Sequence, residues 1–431
     1  MEPTLVVIGI SYKTAALAVR ERFWMPVARQ VEALRHLVRS EGIDEVAVIS
    51  TCNRTEFYLW TGNPSDASNS VLRFLTQSHD LKLSDWSNFY RLVDDAAVSH
   101  VLRVTAGLDT RVFGEPDVID SVMRAWRLAQ RADSTGRFLD SIFTRAVKCA
   151  LRIQSELPDA QDVVPVSVAA VRQCKAAMED LAGRSALVIG AGQMAEAVCL
   201  QLIDSGVKNI VISSRTHAKA EDLAARIGAK AVPVDASAPE LAKAGILVAA
   251  ASAERPVISR EQVETALGIS KKALVIVDLG VPRNVQSSVR TLPGVTLFDI
   301  DDLCENTRPS VEVKISTKQA EHAVRQDSSG LLRSLLSENV IPTIASLRQQ
   351  LERMAEQELT TVSDHMGPLT ADQSELLRAY ASHVTQRITA TVARNLNVVS
   401  GVASTDQLNR TVELLFDLKH ERNTYQLAKE S

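Results

Sequence analysis

The sequence predicts an α/β chain in three parts: an N-terminal α+β domain, a doubly wound parallel domain and a helical tail. Three observations carry that expectation. Short β-branched runs alternate with helical periodicity through the first 160 residues. A glycine turn, Gly190 to Ala195, stands between an apolar run and a helix-like stretch. From about residue 309 onward, apolar residues step by three and four while glycine and aromatics thin out. At 431 residues the chain is long enough for about three domains.

Composition narrows the class. Hydrophobic residues make up 45% and charged residues 23%, the balance of a globular protein with sizeable cores. A net charge of -4 gives no global attraction to nucleic acid, so any such contact needs a local patch. The five cysteines, Cys52, Cys149, Cys174, Cys199 and Cys304, are dispersed without a CxxC pair, which argues against a disulfide framework and suits a reducing compartment. No histidine stands at metal-ligand spacing from them, so no metal site is expected. No apolar run approaches the roughly 18 residues of a membrane span, and no signal-peptide pattern is present. A cytoplasmic protein without membrane contact is expected.

Residues 1–160 form the first expected domain. Thr4 to Ile10 reads as a strand, and Ser11 to Thr14 turns the chain. Val27, Val31, Leu34 and Leu37 mark the apolar face of a helix. Val46 to Ile49 is a short buried strand that delivers Thr51-Cys52-Asn53-Arg54. A thiol at the mouth of a strand, two residues before a guanidinium, is a candidate nucleophile, because the cation favours the attacking thiolate. The alternative is a small buried hydrophobe. Thr55 to Trp60 is a further strand, and Gly62 to Ser65 a turn. Ala96 to Arg103 is a helix carrying His100, a candidate acid or base. Helical sequence resumes after Gly114-Glu115-Pro116-Asp117 and runs to about Leu151.

Residues 161–308 form the second. Ala186 to Ile189 is a strand, Gly190-Ala191-Gly192-Gln193-Met194-Ala195 fits GxGxxA, and a helix follows. Gly190 permits the tight turn, Gly192 lets the backbone approach a diphosphate, and Ala195 allows close helix–strand packing, as in a Rossmann-like dinucleotide site. The next strand, Asn209 to Ile212, ends on Ser213-Ser214-Arg215 instead of an acid. A guanidinium with hydroxyls there favours a 2′-phosphate, hence NADP(H) over NAD(H). Further strands are Ile246 to Ala250, Ala273 to Val277 and Val295 to Phe298, with Asp278 to Arg283 at the ligand edge of the sheet.

In residues 309–431, Ile344, Leu347, Leu351 and Met354 form one coiled-coil-like seam, and Leu377, Tyr380, Val384, Ile388 and Val392 another. Pro309 and Pro342 fit the first turns of helices. Apolar stripes need partners, from within the chain or from a second copy. A thiolate beside a hydride carrier implies acyl chemistry. It fits either reduction of an activated acyl group through a thioester or oxidation of an aldehyde through a thiohemiacetal.

Taken together, Gly9-Ile10-Ser11-Tyr12-Lys13-Thr14-Ala15, Val19-Arg20-Glu21-Arg22, Ser50-Thr51-Cys52-Asn53-Arg54-Thr55-Glu56, Gly107-Leu108-Asp109 and Gly114-Glu115-Pro116 resemble, in order and spacing, the glutamyl-tRNA reductases. The resemblance implies that Cys52 takes the glutamyl group from glutamyl-tRNA(Glu) as a thioester. NADPH then reduces it to glutamate-1-semialdehyde, which feeds 5-aminolevulinate and tetrapyrrole (porphyrin) synthesis. It implies a substrate pocket of Thr51, Cys52, Asn53, Arg54, Thr110, Glu115, Pro116 and the segment holding Asp117 and Ser121, with His100 important for activity. It also implies a long connecting helix, a homodimer through the C-terminal helices, and glutamate-1-semialdehyde aminomutase as a partner. The pattern departs from the family where two amides are replaced by Asp117 and Ser121, where Tyr12 replaces a common His and Ser213 a common Asn, and in the altered basic run after Arg152. Those departures leave room for a related reductase of a different activated acyl donor, or for a protein that binds tRNA or NADPH without turnover.

Overall fold

The structure, a computed structural model, describes residues 3–110, 117–156, 165–178, 180–270, 273–305, 311–338, 340–367, 370–399 and 405–418. The chain divides into two compact units, one of residues 5–327 and one from Ser328 onward that also takes the first few residues.

The first unit holds two sheets. The smaller is built from β1 (Thr4–Ser11), β2 (Glu45–Ser50), β3 (Arg54–Thr61) and β4 (Tyr90–Val93), in the order β2-β3-β1-β4. β2 pairs antiparallel with β3, and β1 with β4. Both β1 and β3 are buried along their whole length, so this sheet is covered on both faces. Trp60 stacks on Phe138 with ring centroids 4.2 Å apart, and Tyr58 meets Phe143 edge-on. Here the helices Asp117–Arg131 and Arg137–Glu156 close over the strands.

The larger sheet is wholly parallel: β5 (Ser185–Ile189), β6 (Asn209–Ser213), β7 (Lys230–Val232), β8 (Ile246–Ala249), β9 (Leu274–Asp278) and β10 (Val295–Asp299), ordered β10-β9-β8-β5-β6-β7. The chain enters at β5 and winds outward in both directions. The crevice at the carboxyl ends of β5 and β8 is therefore the switch point where doubly wound sheets bind ligands. Near-continuous apolar strands follow from burial on both faces, as in Leu274–Asp278, buried throughout.

Ion pairs join the two sheets' surroundings within this unit. Arg20, itself buried, donates to both oxygens of Asp301 at 2.8 and 3.2 Å. Arg283 donates through Nε to Glu21 at 3.0 Å. The Val19 to Arg22 motif therefore serves as a clamp, with Arg22 turned to Asp85 at 2.9 Å. Asp278 anchors the loop that carries Arg283. Its Oδ1 accepts from the Gly280 and Asn284 amides at 3.0 and 3.2 Å, and its Oδ2 from the Val285 amide at 2.9 Å.

The structure differs from the sequence expectations in four places. β4 and β7 were not expected. β4 is a half-exposed edge strand, and β7 has three residues, too few for a periodicity signal. The expected Gly62 to Ser65 turn is a helix start: Asn63 Oδ1 accepts from the Ser65 and Asp66 amides and caps Pro64–His79. Val27, expected on the buried face of its helix, is 64% exposed and lines a cleft. The expected long connecting helix is interrupted: Val311–Ser328 ends before Gly330, whose φ is +73°, and the helix restarts at Leu331. Pro309, Glu115 and Pro116 lie outside the described residues.

In the second unit, the helices Val340–Met366 and Ala371–Val399 pack side by side, joined by Thr405–Leu415. Their shared core is Leu347, Leu396 and Val412, with Ile344, Leu351 and Val392 packed against it. Other residues of the two apolar stripes stay outside. Met354, Tyr380, Val384 and Ile388 are exposed in the single chain. Among the described residues no helix is long and apolar enough to cross a membrane.

Burial pushes the Asp278 carboxyl up from 3.8 to about 6, against the three amides that favour its charge. Folding thus favours the protonated form. The contribution is full below the unfolded value of 3.8 and is lost as pH rises through about 6. Relative to Asp278→Asn, the wild-type protein is expected to lose on the order of 3 kcal/mol of stability between about pH 4 and about pH 7, read by denaturant titration at each pH. A constant difference across that window would show that Asp278 is not the titrating group.

Candidate active site

Cys52 sits at the tip of the β2–β3 hairpin. Ser50 pairs with Thr55, and the Thr51 amide donates to the Arg54 carbonyl at 2.8 Å, which leaves Cys52 and Asn53 as the two turn residues. Backbone and side-chain hydrogen bonds hold the tip. The Tyr12 amide donates to the Asn53 carbonyl at 2.9 Å, and the Asn53 amide to Thr51 Oγ1 at 3.2 Å. Tyr12 also sends its hydroxyl to the Thr110 carbonyl at 2.9 Å. Thr51, Cys52 and Asn53 are all half-buried.

Behind the tip lies a buried polar network centred on Glu56, which is completely buried. Its Oε1 accepts from Arg54 Nη1 at 2.8 Å and lies 2.9 Å from His100 Nε2, and the hydroxyls of Tyr58 and Tyr90 donate to the same carboxylate. Burial alone would raise the Glu56 pKa, but the charges of Arg54 and His100 hold it well below the usual carboxylate range. Burial also pushes both tyrosine hydroxyls far up, reinforced by the adjacent Glu56 charge. Asp109 closes the other side. Its carbonyl accepts from Arg54 Nη2, and its carboxylate pairs with Lys13 and stands 3.5 Å from Arg54 Nη1.

Two residues singled out in the sequence belong to this network. The Arg54 guanidinium, expected to favour a Cys52 thiolate, is 3% exposed and matched by Glu56 and Asp109, so its charge is already spoken for. His100, expected as an acid or base, is bonded to Glu56 behind the hairpin and is not among the residues lining the cleft.

The cleft has a volume of about 1320 Å³ and runs between the two sheets of the first unit. From the hairpin side it is lined by Thr51, Cys52, Asn53, Arg54 and Thr110, and from the helix Asp117–Arg131 by Val118, Ser121 and Arg124. From the larger sheet it is lined by Met194, Arg215 and the segment 252–257. Cys52 stands apart from the other cysteines whose side chains are described. Cys149, Cys174 and Cys199 are buried, and burial pushes each thiol up to about 12, which keeps them inert.

The glycine turn fits a dinucleotide. Gly190 has φ +126°, and a Cβ there would lie 2.4 Å from the Ala250 carbonyl oxygen, so only glycine passes between β5 and β8. Gly192 caps the helix Gln193–Asp204 and has open space where a Cβ would project. The first-turn amides there are free to meet a diphosphate. Ala195 is buried against the sheet, Ala191 and Ser214 are half-buried, and Gln193, Met194 and Arg215 are exposed. Asp117 begins its helix, and its side chain lies outside the described residues. Among the described residues no cluster of His, Cys, Asp or Glu is placed to hold a metal ion.

Sequence reasoning missed Glu56 as the hub, along with Tyr58, Tyr90 and Asp109. A signal was available in Gly9. A Cβ at that position would lie 2.6 Å from Glu56 Cγ, so the glycine in β1 makes room for the carboxylate's stem. Glu56→Gln removes the anion that balances buried Arg54 and is expected to cost about 3–5 kcal/mol of stability. Denaturant unfolding of the variant checks this. A loss within about 0.5 kcal/mol, the range of surface substitutions, would contradict a buried ion pair.

Residues 8–157 match the family model for the Glutamyl-tRNAGlu reductase N-terminal domain, 172–306 that for shikimate / quinate 5-dehydrogenase, and 319–418 that for the Glutamyl-tRNAGlu reductase dimerisation domain. The glutamyl-tRNA reductase of Rippkaea orientalis is 31% identical over 97% of this chain and 99% of its own. That of Moorella thermoacetica is 30% identical over 96% and 95%, and that of Pseudomonas aeruginosa 32% over 95% and 97%. The chain belongs to the glutamyl-tRNA reductase family.

Proposed function

We propose that this protein reduces the glutamyl ester of tRNA(Glu) to glutamate-1-semialdehyde, through a thioester on Cys52 and with NADPH as reductant. The observation that carries the reading is one of placement. A half-buried thiol on the smaller sheet and the glycine-turn helix of the larger sheet open onto the same cleft.

In this reading, Cys52 Sγ attacks the ester carbonyl carbon. The carbon–sulfur bond forms, the bond to the tRNA ribose oxygen breaks, and that oxygen leaves with a proton as the ribose hydroxyl. Thr51 and Asn53, fixed at the hairpin tip, flank the acyl group, and Thr110 lines the same cleft. A reduced nicotinamide dinucleotide, when bound, would supply the hydride that the thioester carbon accepts. Cys52 Sγ then departs as thiolate and the aldehyde is released. No ATP is needed, since an aminoacyl ester is already activated. Arg54, His100 and Glu56 act as positioning residues that hold the hairpin's base rigid. Gly190, Gly192 and the amides of Gln193 and Met194 would hold the diphosphate, and Ser214 and Arg215 a 2′-phosphate. Arg215 makes no ion pair among the described residues, which favours a role for its charge outside the protein.

The exposed apolar residues Tyr380, Val384 and Ile388 support a homodimer through the C-terminal helices. The product is a reactive α-amino aldehyde, which favours hand-over to an aminomutase partner.

With charged glutamyl-tRNA and NADPH, the wild-type protein is expected to form semialdehyde and Cys52→Ser to form none. Semialdehyde from the serine variant at the wild-type rate would overturn the thioester. Arg215→Leu is expected to raise KM for NADPH by about ten- to a hundredfold, the loss of a charge-assisted contact, while leaving KM for NADH nearly unchanged. Equal effects on both nucleotides would remove the case for the 2′-phosphate.

A further inference from the structure

The two half-reactions proposed above make different demands on the cleft. Acyl transfer to Cys52 uses the hairpin side. Hydride transfer needs the hairpin side and the nucleotide side held at one distance and angle, since a misplacement of about 1 Å costs on the order of a hundredfold in rate.

Two ion pairs cross between the sides. The helix Leu17–Phe23 supplies Arg20 and Glu21. Arg20 reaches both oxygens of Asp301, and its Nη1 also donates to the Ala15 carbonyl at 2.9 Å, which fixes the aim of the guanidinium. Glu21 accepts from the Arg283 amide at 3.2 Å and from Arg283 Nε at 3.0 Å. Arg20 is buried and the other three are half-buried, so salt screens them little. Neighbouring charges are matched on their own side. Arg22 turns to Asp85, and Arg290 donates to Asp299 and Asp302 at 2.9 and 2.7 Å. Cation then anion on the helix, facing anion and cation, admits one register, because exchanged partners would set like charges together.

Each pair is tied to a reacting end of the cleft. On the hairpin side, Trp24, Met25 and Pro26 follow the helix and line the cleft. The Met25 amide donates to Ser50 Oγ at 2.9 Å, and Ser50 Oγ lies 3.0 Å from Thr55 Oγ1. Ser50 and Thr55 are the paired residues that close the turn bearing Cys52. On the nucleotide side, Asp301 follows Ile300, which lines the cleft just past the end of β10. Arg283 stands on the loop that Asp278 anchors at the end of β9. These carboxyl ends are the ligand edge of a doubly wound sheet. A continuous line of contacts therefore joins the Cys52 hairpin, through Ser50, Met25 and the helix Leu17–Phe23, to the nucleotide edge.

We infer that Arg20–Asp301 and Glu21–Arg283 are positioning pairs for the hydride step, which hold the nucleotide side at the distance from Cys52 that reduction requires and take no part in acylation of the thiol. The inference rests on the acyl-reductase reading and deepens it. It assigns the two half-reactions to different parts of the structure.

The test supplies glutamyl-tRNA and NADPH and measures the ratio of semialdehyde to free glutamate. Glutamate arises where the thioester is not reduced: water adds to the carbonyl carbon, the carbon–sulfur bond breaks, and the acid and the Cys52 thiol are released with no electrons transferred. Wild-type protein is expected to give mainly semialdehyde. Glu21→Arg and Arg283→Glu each set like charges together and are expected to lower the ratio by about ten- to a hundredfold. The double variant, with the charges exchanged, is expected to recover most of it, and Asp301→Asn to lower the ratio less than either reversal. With no nucleotide present, the rate of Cys52 acylation is expected to stay at the wild-type value in every variant. In the same nucleotide-free protein, amide hydrogen exchange over residues 279–285 is expected to quicken in the two reversals and to slow again in the double variant. An unchanged ratio in the single variants overturns the inference. So does a double variant no better than its parents, or an equal fall of acylation and reduction, which would mark the pairs as general stabilisers. Should the reversals not fold, the ratio in Asp301→Asn decides. Wild-type protein that forms no thioester overturns the acyl-reductase reading, and the inference with it.

Discussion

A single buried carboxylate organises the N-terminal half of this protein. Glu56 has no exposure to solvent, yet it is ionised, because Arg54, His100, Tyr58 and Tyr90 all point at it. An unpaired carboxylate in that position would cost several kcal/mol, and an unpaired Arg54 the same, so the two constrain each other. The consequence is local rigidity. Arg54 and Glu56 lie in β3, directly after the turn that presents Cys52, and Arg54 reaches across to the Asp109 carbonyl while Tyr90 comes from β4. The hairpin tip is thus fixed from three directions, with Glu56, Tyr90 and Asp109 behind the cleft and Arg54 at its wall.

That division of labour bears on the cleft's chemistry. A nucleophile that must accept a bulky ester on one side and meet a hydride donor on the other gains from a rigid mount and an open face. The ion pairs Arg20–Asp301 and Glu21–Arg283 hold the smaller sheet's helix Leu17–Phe23 against the edge of the nucleotide domain, and Asp278 fixes the loop from which Arg283 projects.

The fold was legible because its strongest signals are periodic or steric. β5, the glycine turn and the following helix were readable from GxGxxA, since the clash a Cβ would make at Gly190 leaves no other residue. β1, β2 and β3 were readable as apolar runs. β4 and β7 were not: an edge strand of mixed polarity and a three-residue strand carry too little pattern. The site was legible in part. Cys52 stood out through its neighbours in sequence, but what Arg54 and His100 do depends on partners from β3, β4 and the segment after the helix Asp95–Thr105, far apart in the chain. The roles of a buried arginine and a free one read alike in sequence. Only packing tells Arg54, enclosed with two carboxylates, from Arg124, exposed on a helix face. Val27 shows the same limit for apolar residues, since a cleft wall and a core face share one periodicity.

The central claim is that the Cys52 thiol takes the acyl group, and that it does so in the cleft it shares with the nucleotide side. The most direct measurement uses glutamyl-tRNA carrying an isotope in the glutamyl group, added to the protein with no nucleotide present. Digestion at low pH and peptide mass mapping follow. The expected result is label on the peptide bearing Cys52, discharged as an aldehyde when NADPH is added before digestion. Label on another cysteine, or an unlabelled Cys52 in protein that still turns over, contradicts it.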